Sequence, residues 1–512
     1  MASIEWPHTI AFLSSTSYPY FLFFLLSIAV LKLTRRSKNK ASFNLPPSPT
    51  KLPIIGNLHQ IGTLPYRSFS SLSQKHGSLM WLQLGQTQTL VISSADLVRE
   101  IMQTQDLAFS NRPKIAAARY ILYGGNDIGF SSYGESWKLK RKICSLELLS
   151  AKRVHSFGLI REQEVADLVK KIGEASLRDA SSVNLSELLL EASDNIICKC
   201  ALGQKYSNNR VKELARRLMI QLAVHTVGDL FPLLSWVDFL TGKIQEFKAI
   251  FEAFDTLLDE LIEEHKKVQS EADHCSTEKG FVDILIQHQK NAMPDSELTN
   301  NDIKSILLDM FSAGSDTTAS TLEWAMAELM RNPMKLKKAQ EEVRKVVGNK
   351  SKVEENDINE MEYMKCVVKE TLRLHPAAPL LAPRETSCAL KLRGYDIPAK
   401  TLVYVNAWWI QRDPEVWEKA EEFIPERHGE KHVVPLKGQF IPFGFGRRAC
   451  PGMSFGVVSV EYTLANLLYW FNWKLPSSHS SAQDIDMSET YGLITSKKVP
   501  LHFKPVPFEP SF

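Results

Sequence analysis

Of the seven cysteines in these 512 residues, Cys450 has the neighbours that most constrain its chemistry, in Phe443-Gly444-Phe445-Gly446-Arg447-Arg448-Ala449-Cys450-Pro451-Gly452. Gly444 and Gly446 let the backbone turn tightly beneath a flat object, and Gly452 can admit conformations closed to residues with a Cβ. Pro451 lacks an N–H and Gly452 a side chain, so a helix is expected to start just past them, through the mostly apolar run Met453 to Tyr469. Its positive end would face the sulfur and favour thiolate over thiol.

A thiolate held in this way is a natural axial ligand of haem iron, where it pushes electron density to the metal and favours O–O cleavage. A lone Cys-Pro-Gly in a glycine-rich loop equally describes a small buried hydrophobe. Phe443, Gly446, Arg448, Cys450 and Gly452, however, resemble without a gap the F-x-x-G-x-R-x-C-x-G signature of the cytochrome P-450 superfamily of haem-thiolate monooxygenases. That resemblance implies haem b (iron protoporphyrin IX), with Cys450 as the metal ligand, Phe443 shielding the sulfur and Gly452 beside it, and Arg448 on a propionate.

Ala313-Gly314-Ser315-Asp316-Thr317-Thr318 is a poor helix former placed within a helical pattern, and a local cost in a core element suggests a use. It resembles the family's oxygen-binding motif. Ala313 and Gly314 would then leave room for dioxygen, Thr317 would hydrogen-bond it or its water, and Asp316 would feed protons. Trp137 and Arg141, four apart, share a helix face, which by itself describes a basic surface helix with one half-buried Trp. The family places such a pair on a haem propionate, with Arg384 as a further partner, and Lys138, Lys140 and Lys142 would offer a basic face to an acidic electron donor.

Glu370 and Arg373, at i and i+3 on an apolar helix, form a pair that needs further hydrogen bonds if buried. The family supplies Arg427 as third member of this ion triad, and His428 stands where an aromatic residue is usual, a change expected to affect packing alone. The resemblance also puts Leu380, Leu381 and Ala382, and the loop residues Leu493 and Ile494, against substrate.

The elements that must position these residues are mostly helical. The longest helix is expected from about Asp302, capped by Asn300 or Asn301, to Arg331, with Ile303, Ile306, Leu307, Met310 and Phe311 as one apolar stripe. Amphipathic helical patterns fill Leu159 to Lys290, with a polar loop expected from His265 to Gly280. Lys+Arg 61 against Asp+Glu 58 gives a net charge of +3, too near neutral for nucleic acid as the main partner. The cysteines show no CxxC pair or disulfide spacing, and Cys198 and Cys200 read as core filling.

At the N-terminus an apolar run, Tyr20 to Leu31, precedes Lys32, Arg35, Arg36, Lys38 and Lys40, while Glu5 is the only charged side chain before it. That order fits an uncleaved anchor with its C-terminal side cytosolic better than a signal peptide, and a buried core helix is the other reading. The prolines from Pro46 to Pro53 stiffen a connector. The division expected is residues 1–40 as membrane anchor, 41–53 as hinge and 54–512 as a catalytic domain, mainly α with small β-sheets (α+β), in the P-450 fold.

As a whole the chain resembles plant microsomal members of the family. The implied enzyme sits in the endoplasmic reticulum membrane, facing the cytosol. It takes NADPH electrons from a flavoprotein reductase, and puts one oxygen of O2 into a lipophilic terpenoid, phenylpropanoid or coumarin, alkaloid or oxime. A haem-thiolate isomerase or dehydratase would work without NADPH, and a non-catalytic haem-binding protein would not turn over at all.

Overall fold

Two apolar runs, β1 (Leu79–Leu84) and β2 (Thr87–Ile92), fold into an antiparallel hairpin with Leu79 opposite Ile92 and Leu84 opposite Thr87. Gly85, at φ +61, begins its turn. The structure is a computed structural model describing residues 27, 43–177, 182–203, 210–271, 279–291, 298–429, 438–476 and 481–508.

The helices that build the site are α1 (Glu135–Ile143), α2 (Leu185–Leu202), α3 (Arg210–Leu222), α4 (Asn300–Gly314), α5 (Asp316–Arg331) and α6 (Glu362–Leu374). Strands β3 (Arg384–Glu385) and β4 (Leu402–Val405) complete a four-stranded sheet ordered β1-β2-β4-β3. In it β4 runs parallel to β2, Thr89 opposite Leu402, and antiparallel to β3, Arg384 opposite Val403. Helix α7 (Met453–Trp470) follows the cysteine loop, and β5 (Glu489–Tyr491) with β6 (Thr495–Lys497) forms a late hairpin. The mainly helical, small-sheet architecture expected from the sequence is therefore present.

Helix α5 is the centre of the core: every residue from Thr318 to Met330 is buried. A helix buried all round is held by packing rather than by propensity, and Leu322 or Leu329 each contribute roughly 1.5–3 kcal/mol. The stripe Ile303, Ile306, Leu307, Met310 and Phe311 on α4 is buried throughout. Cys198 and Cys200 are buried thiols, as expected, and the described cysteines form no disulfide with one another.

Three expectations for the helices need correction. The long helix starts at Asn300 behind a capping box, where the Asp302 N–H donates to Thr299 Oγ1 (3.1 Å) and the Thr299 N–H to Asp302 Oδ2 (3.0 Å), so neither Asn300 nor Asn301 is its cap. It also breaks at Ser315, with φ −91 and ψ −71, instead of running through to Arg331. The polar stretch from His265 is helical as far as Glu271, the end of helix Lys243–Glu271, because Glu, Lys and Gln are good helix formers. Residues 272–278 lie outside the described residues.

Residues 43–46 and Lys391–Ile397 form a small unit of their own, in which the Asn44 N–H donates to Asp396 Oδ2 at 3.0 Å and the Asp396 N–H to the Asn44 carbonyl at 2.7 Å. The other unit is Pro47–Leu390 with Pro398–Phe512. Apart from Ser27, the expected anchor over residues 20–31 and its basic cluster lie outside the described residues. Among those described, no helix is long and apolar enough to cross a membrane.

Candidate active site

The cysteine loop is built as its glycines require. Gly444 and Gly446 take φ +72 and +63, and a Cβ on Gly446 would sit 2.2 Å from Asp106 Oδ1. The loop closes on itself through the Cys450 N–H to the Phe443 carbonyl (2.8 Å) and the Ala449 N–H to the Gly446 carbonyl (3.1 Å). Gly452 departs from expectation: its φ of −88 is ordinary, and its part is to precede α7 and give its N–H to the Cys450 sulfur. The sulfur's accessible surface faces an internal cavity while protein surrounds the loop. Burial pushes the thiol up from its ordinary value, and the Gly452 N–H and the Arg141 charge pull against that.

The cavity, of about 330 Å³, has Cys450, Phe443 and Gly452 on one wall and Ala313, Gly314 and Thr317 on another. Four arginines line it: Arg112 from a loop, Arg141 from α1, Arg384 from β3 and Arg448 from the cysteine loop. Burial lowers all four from the ordinary arginine value, Arg384 and Arg448 to about 10 and Arg112 well below, with Arg448 and Arg384 adding repulsion at Arg112. The buried carboxyls on this side offset them only in part: Asp127 acts on Arg112 and Arg448, and Asp106 lies 3.8 Å from Arg384. Burial raises Asp127 and Asp309, and Asp127 pushes Asp309 further up, well above the usual carboxylate range.

Much of the guanidinium surface is already fixed by backbone carbonyls. Arg448 donates to Ser110 (2.7 Å), Ile128 (3.2 Å) and Ser131 (2.5 Å), Arg384 to Phe445 (2.8 Å), and Arg112 to Gly129 (2.8 Å), Ala382 (2.6 Å) and Pro383 (2.7 Å). Arg141 makes no hydrogen bond among the described residues. The Trp137 N–H is held by the Ile128 carbonyl at 3.1 Å, and Arg448 lies 4.2 Å over the indole ring. Positive charge converging on a buried cavity is costly unless an anion answers it. A thiol beside a cluster of arginines suits a flat, doubly carboxylated molecule whose metal accepts sulfur, and haem has that description.

On the opposite wall the break at Ser315 leaves carbonyls that threonines take up: Thr317 Oγ1 donates to the Ala313 carbonyl (2.7 Å) and Thr318 Oγ1 to that of Gly314 (2.9 Å). Asp316 does not line the cavity. Burial and the Asp194 charge raise its carboxyl to about 6, with Arg216 pulling it down. Of the residues expected to touch substrate, Leu381, Ala382, Leu493 and Ile494 line the cavity. Leu380 does not: Leu381 turns the chain at φ +54, and Leu380 packs with Tyr66, Phe69 and Leu82 beneath the sheet. The β5–β6 loop is pinned by the Thr495 N–H to the Ala377 carbonyl (2.8 Å) and Ser320 Oγ to the Thr495 carbonyl (2.8 Å).

Behind the cysteine wall Glu370 is fully buried and collects five hydrogen bonds: two from Arg373 (2.8 and 2.9 Å), and one each from Arg427 Nε (2.9 Å), the Ile424 N–H (2.8 Å) and His428 Nε2 (2.9 Å). Burial pushes this carboxyl up, but His428, Arg373 and Ile424 together hold it at about 2. His428 was expected to alter only packing; it joins the ion cluster, since its ring nitrogen reaches the free lone pair of Oε2. The basic face also loses a member. Lys140 is buried and donates to Asp302 (2.8 Å) and Asn126, because α1 turns that position inward, while Lys138 and Lys142 stay exposed.

Sequence reasoning passed over Arg112, Asp127 and Asp309. Asp309 accepts the Ile128 N–H at 2.7 Å, and Asp127 the Phe130 N–H at 2.7 Å. Asp309 lies off the apolar stripe of α4 and reads as solvent-facing, and Arg112 before Pro113 looks like any turn residue. The orphan charge of such groups is visible only once the cavity exists.

The family model for cytochrome P450 matches residues 46–503. The phenylacetaldehyde oxime monooxygenase CYP71AN24 of Prunus mume is 49% identical over 511 residues, covering 97% of each chain. Desmethylyatein synthase of Sinopodophyllum hexandrum is 45% identical over 95% of this chain and 97% of its own. A zebra fish cytochrome P450 structure with progesterone superposes at a TM-score of 0.74 and 26% identity, over 87% of this chain and 99% of that one. With the match running from residue 46 to residue 503, this chain belongs to the cytochrome P450 family and is a haem-dependent monooxygenase.

Proposed function

We propose that the chain is a membrane-anchored monooxygenase that takes NADPH electrons from a flavoprotein reductase and oxidises a lipophilic plant specialised metabolite of terpenoid, phenylpropanoid or coumarin, alkaloid or oxime type. The observation that carries this reading is a single cavity with a thiol and four arginines on one side, a small-residue and threonine wall on the other, and Ile197, Met219, Met310, Leu381, Leu493 and Ile494 around the remainder. Relatives named for oxime oxidation and for desmethylyatein synthesis support a substrate of this kind.

Haem, when bound, supplies the activation of dioxygen. Cys450 is its sulfur ligand, with the Gly452 N–H and Arg141 favouring the thiolate. Arg112, Arg141, Arg384 and Arg448 would answer the propionates, and Trp137 braces Arg448 from below. Ala313 and Gly314 add little bulk to the cavity wall and would leave room there for dioxygen. The Thr317 hydroxyl donates to the Ala313 carbonyl and keeps its lone pairs to accept from water in the cavity, while Asp316, raised to about 6, stands behind it as a proton source matched to neutral pH.

Residues 1–40 serve as a single-pass anchor in the endoplasmic reticulum membrane, 41–53 as hinge and 54–512 as the cytosolic catalytic domain. Support for membrane contact comes from exposed Leu52, Ile54 and Ile55 and from exposed Leu233, Leu234, Trp236, Phe239 and Leu240. The second group's segment is tied to the β1–β2 turn by the Gln86 N–H to the Leu230 carbonyl at 2.7 Å. Exposed Lys138, Lys142 and Arg447 offer positive charge to an acidic reductase.

The test is a panel of such compounds scored by the Soret shift on binding, then by product formation with reductase and NADPH. In the same assay Thr317→Ala is expected to keep the haem spectrum, since one hydrogen bond of about 1 kcal/mol is lost. Coupled product should fall roughly ten-fold or more as electrons go to peroxide. Unchanged coupling would remove Thr317 from the mechanism, and product formation without NADPH would favour an isomerase or dehydratase.

A further inference from the structure

The break between α4 and α5 is tied to a third helix. Ser315, buried at the break, turns its side chain toward α2 and donates its hydroxyl proton to Asp194 Oδ1. Asp194 is itself buried. The next residue, Asp316, points to the same side and not into the cavity. Among the described residues, the charged groups acting on Asp316 are Asp194 from α2 and Arg216 from α3. Helices α6 and α7 and strand β6, which also pack on α5, contribute none.

We infer that Asp194 is the positioning residue of the proton supply: its carboxylate, fixed by Ser315, holds Asp316 in the acid form next to Thr317. Two carboxyls in one buried place cannot both ionise cheaply, and the one that accepts a hydroxyl proton is the better anion. Asp194 therefore keeps the negative charge and Asp316 the proton. Burial raises Asp316 most, the Asp194 charge adds to it and Arg216 alone opposes them, which accounts for an Asp316 carboxyl raised to about 6. Such a group can give up a proton and regain it near neutral pH. The Ser315 bond also anchors the break, and so the placing of the Ala313 carbonyl that Thr317 holds.

The role in turnover rests on the monooxygenase reading, whereas the effect on Asp316 does not, and one experiment separates them. In the full-length, haem-loaded enzyme a difference infrared titration follows the protonated-carboxyl band that disappears in Asp316→Asn. Wild type is expected to titrate near pH 6, Asp194→Asn at lower pH, and Asp194→Glu near wild type. Asn still accepts from Ser315, so Asp194→Asn removes charge and not the bond. An unmoved midpoint in Asp194→Asn overturns the inference. If that variant cannot be purified with haem, Ser315→Ala decides: it takes from Asp194 the hydroxyl that makes it the better anion, so the Asp316 midpoint should fall below that of wild type, and an unmoved midpoint overturns the inference.

In turnover, the ratio of product to NADPH consumed should decline as pH rises through the Asp316 midpoint. In Asp194→Asn that decline should come at lower pH, whereas a merely structural defect would lower the ratio equally at every pH and overturn the positioning role. A band that moves without any change in coupling would leave Asp194 as the partner of Asp316 and remove Asp316 from the reaction.

Discussion

Cys450→Ala is expected to give a folded protein with no monooxygenase activity. The loop around the sulfur is held by its backbone, through the Cys450 N–H to the Phe443 carbonyl and by glycines whose positive φ does not depend on the side chain. Losing one sulfur atom on a cavity wall leaves little new void, so the thermal midpoint of the haem-free variant should lie within a few degrees of that of haem-free wild type, the equivalent of about 1 kcal/mol. The chemistry has no such reserve. No other described cysteine lines the cavity: Cys144, Cys198, Cys200 and Cys366 are buried and Cys388 lies on the surface. Metal ligation therefore cannot pass to a neighbouring thiol. The checks are haem content, the spectrum of the reduced protein with carbon monoxide, and product per mole of enzyme. A variant that kept the wild-type spectrum and turnover would show that residue 450 is not the ligand.

The second large effect is structural. Glu370→Gln should leave most of the protein unfolded or without haem, although the substitution changes one oxygen into one NH2. Glu370 answers Arg373 and Arg427 at once, and Arg373 also carries the chain from Gln411 to Glu422 by donating to the carbonyls of Gln411, Ala420 and Glu422. Removing the shared anion strands buried positive charge, at a cost of about 3–5 kcal/mol, a large share of a typical domain's stability. His428→Phe removes one bond of five and should cost about 1–3 kcal/mol, so it should retain haem.

The same carboxyl gives an acid dependence with a definite sign. Its value of about 2 lies below the ordinary 4.5, so its contribution is present above pH 4.5 and is lost as pH falls from there toward 2. The span corresponds to about 3 kcal/mol. Melting curves across that range, with haem absorbance as second signal, check both statements. Glu370→Gln melting at the wild-type temperature, or wild type that gains stability on acidification, would refute them.

The parts of the site legible in the sequence are those set by neighbours a few residues away. The turn before Cys450 follows from Gly444 and Gly446, the helix after it from an apolar run, the α4 stripe from its 3.6-residue spacing, and the Glu370–Arg373 pair from i, i+3 geometry. Each is a local conformational preference that tertiary contacts only reinforce. What the fold alone decided involves partners far apart in the chain. Arg112 meets the carbonyls of Ala382 and Pro383, Asp309 meets Ile128, and Lys140 turns in to Asp302 instead of out to a partner. Ser315 reaches Asp194 at a helix break, and Leu380 faces away from the cavity that Leu381 enters. Whether a charged side chain is solvated or buried against such a partner depends on packing that no local window contains, and in a low-dielectric interior that difference decides its charge.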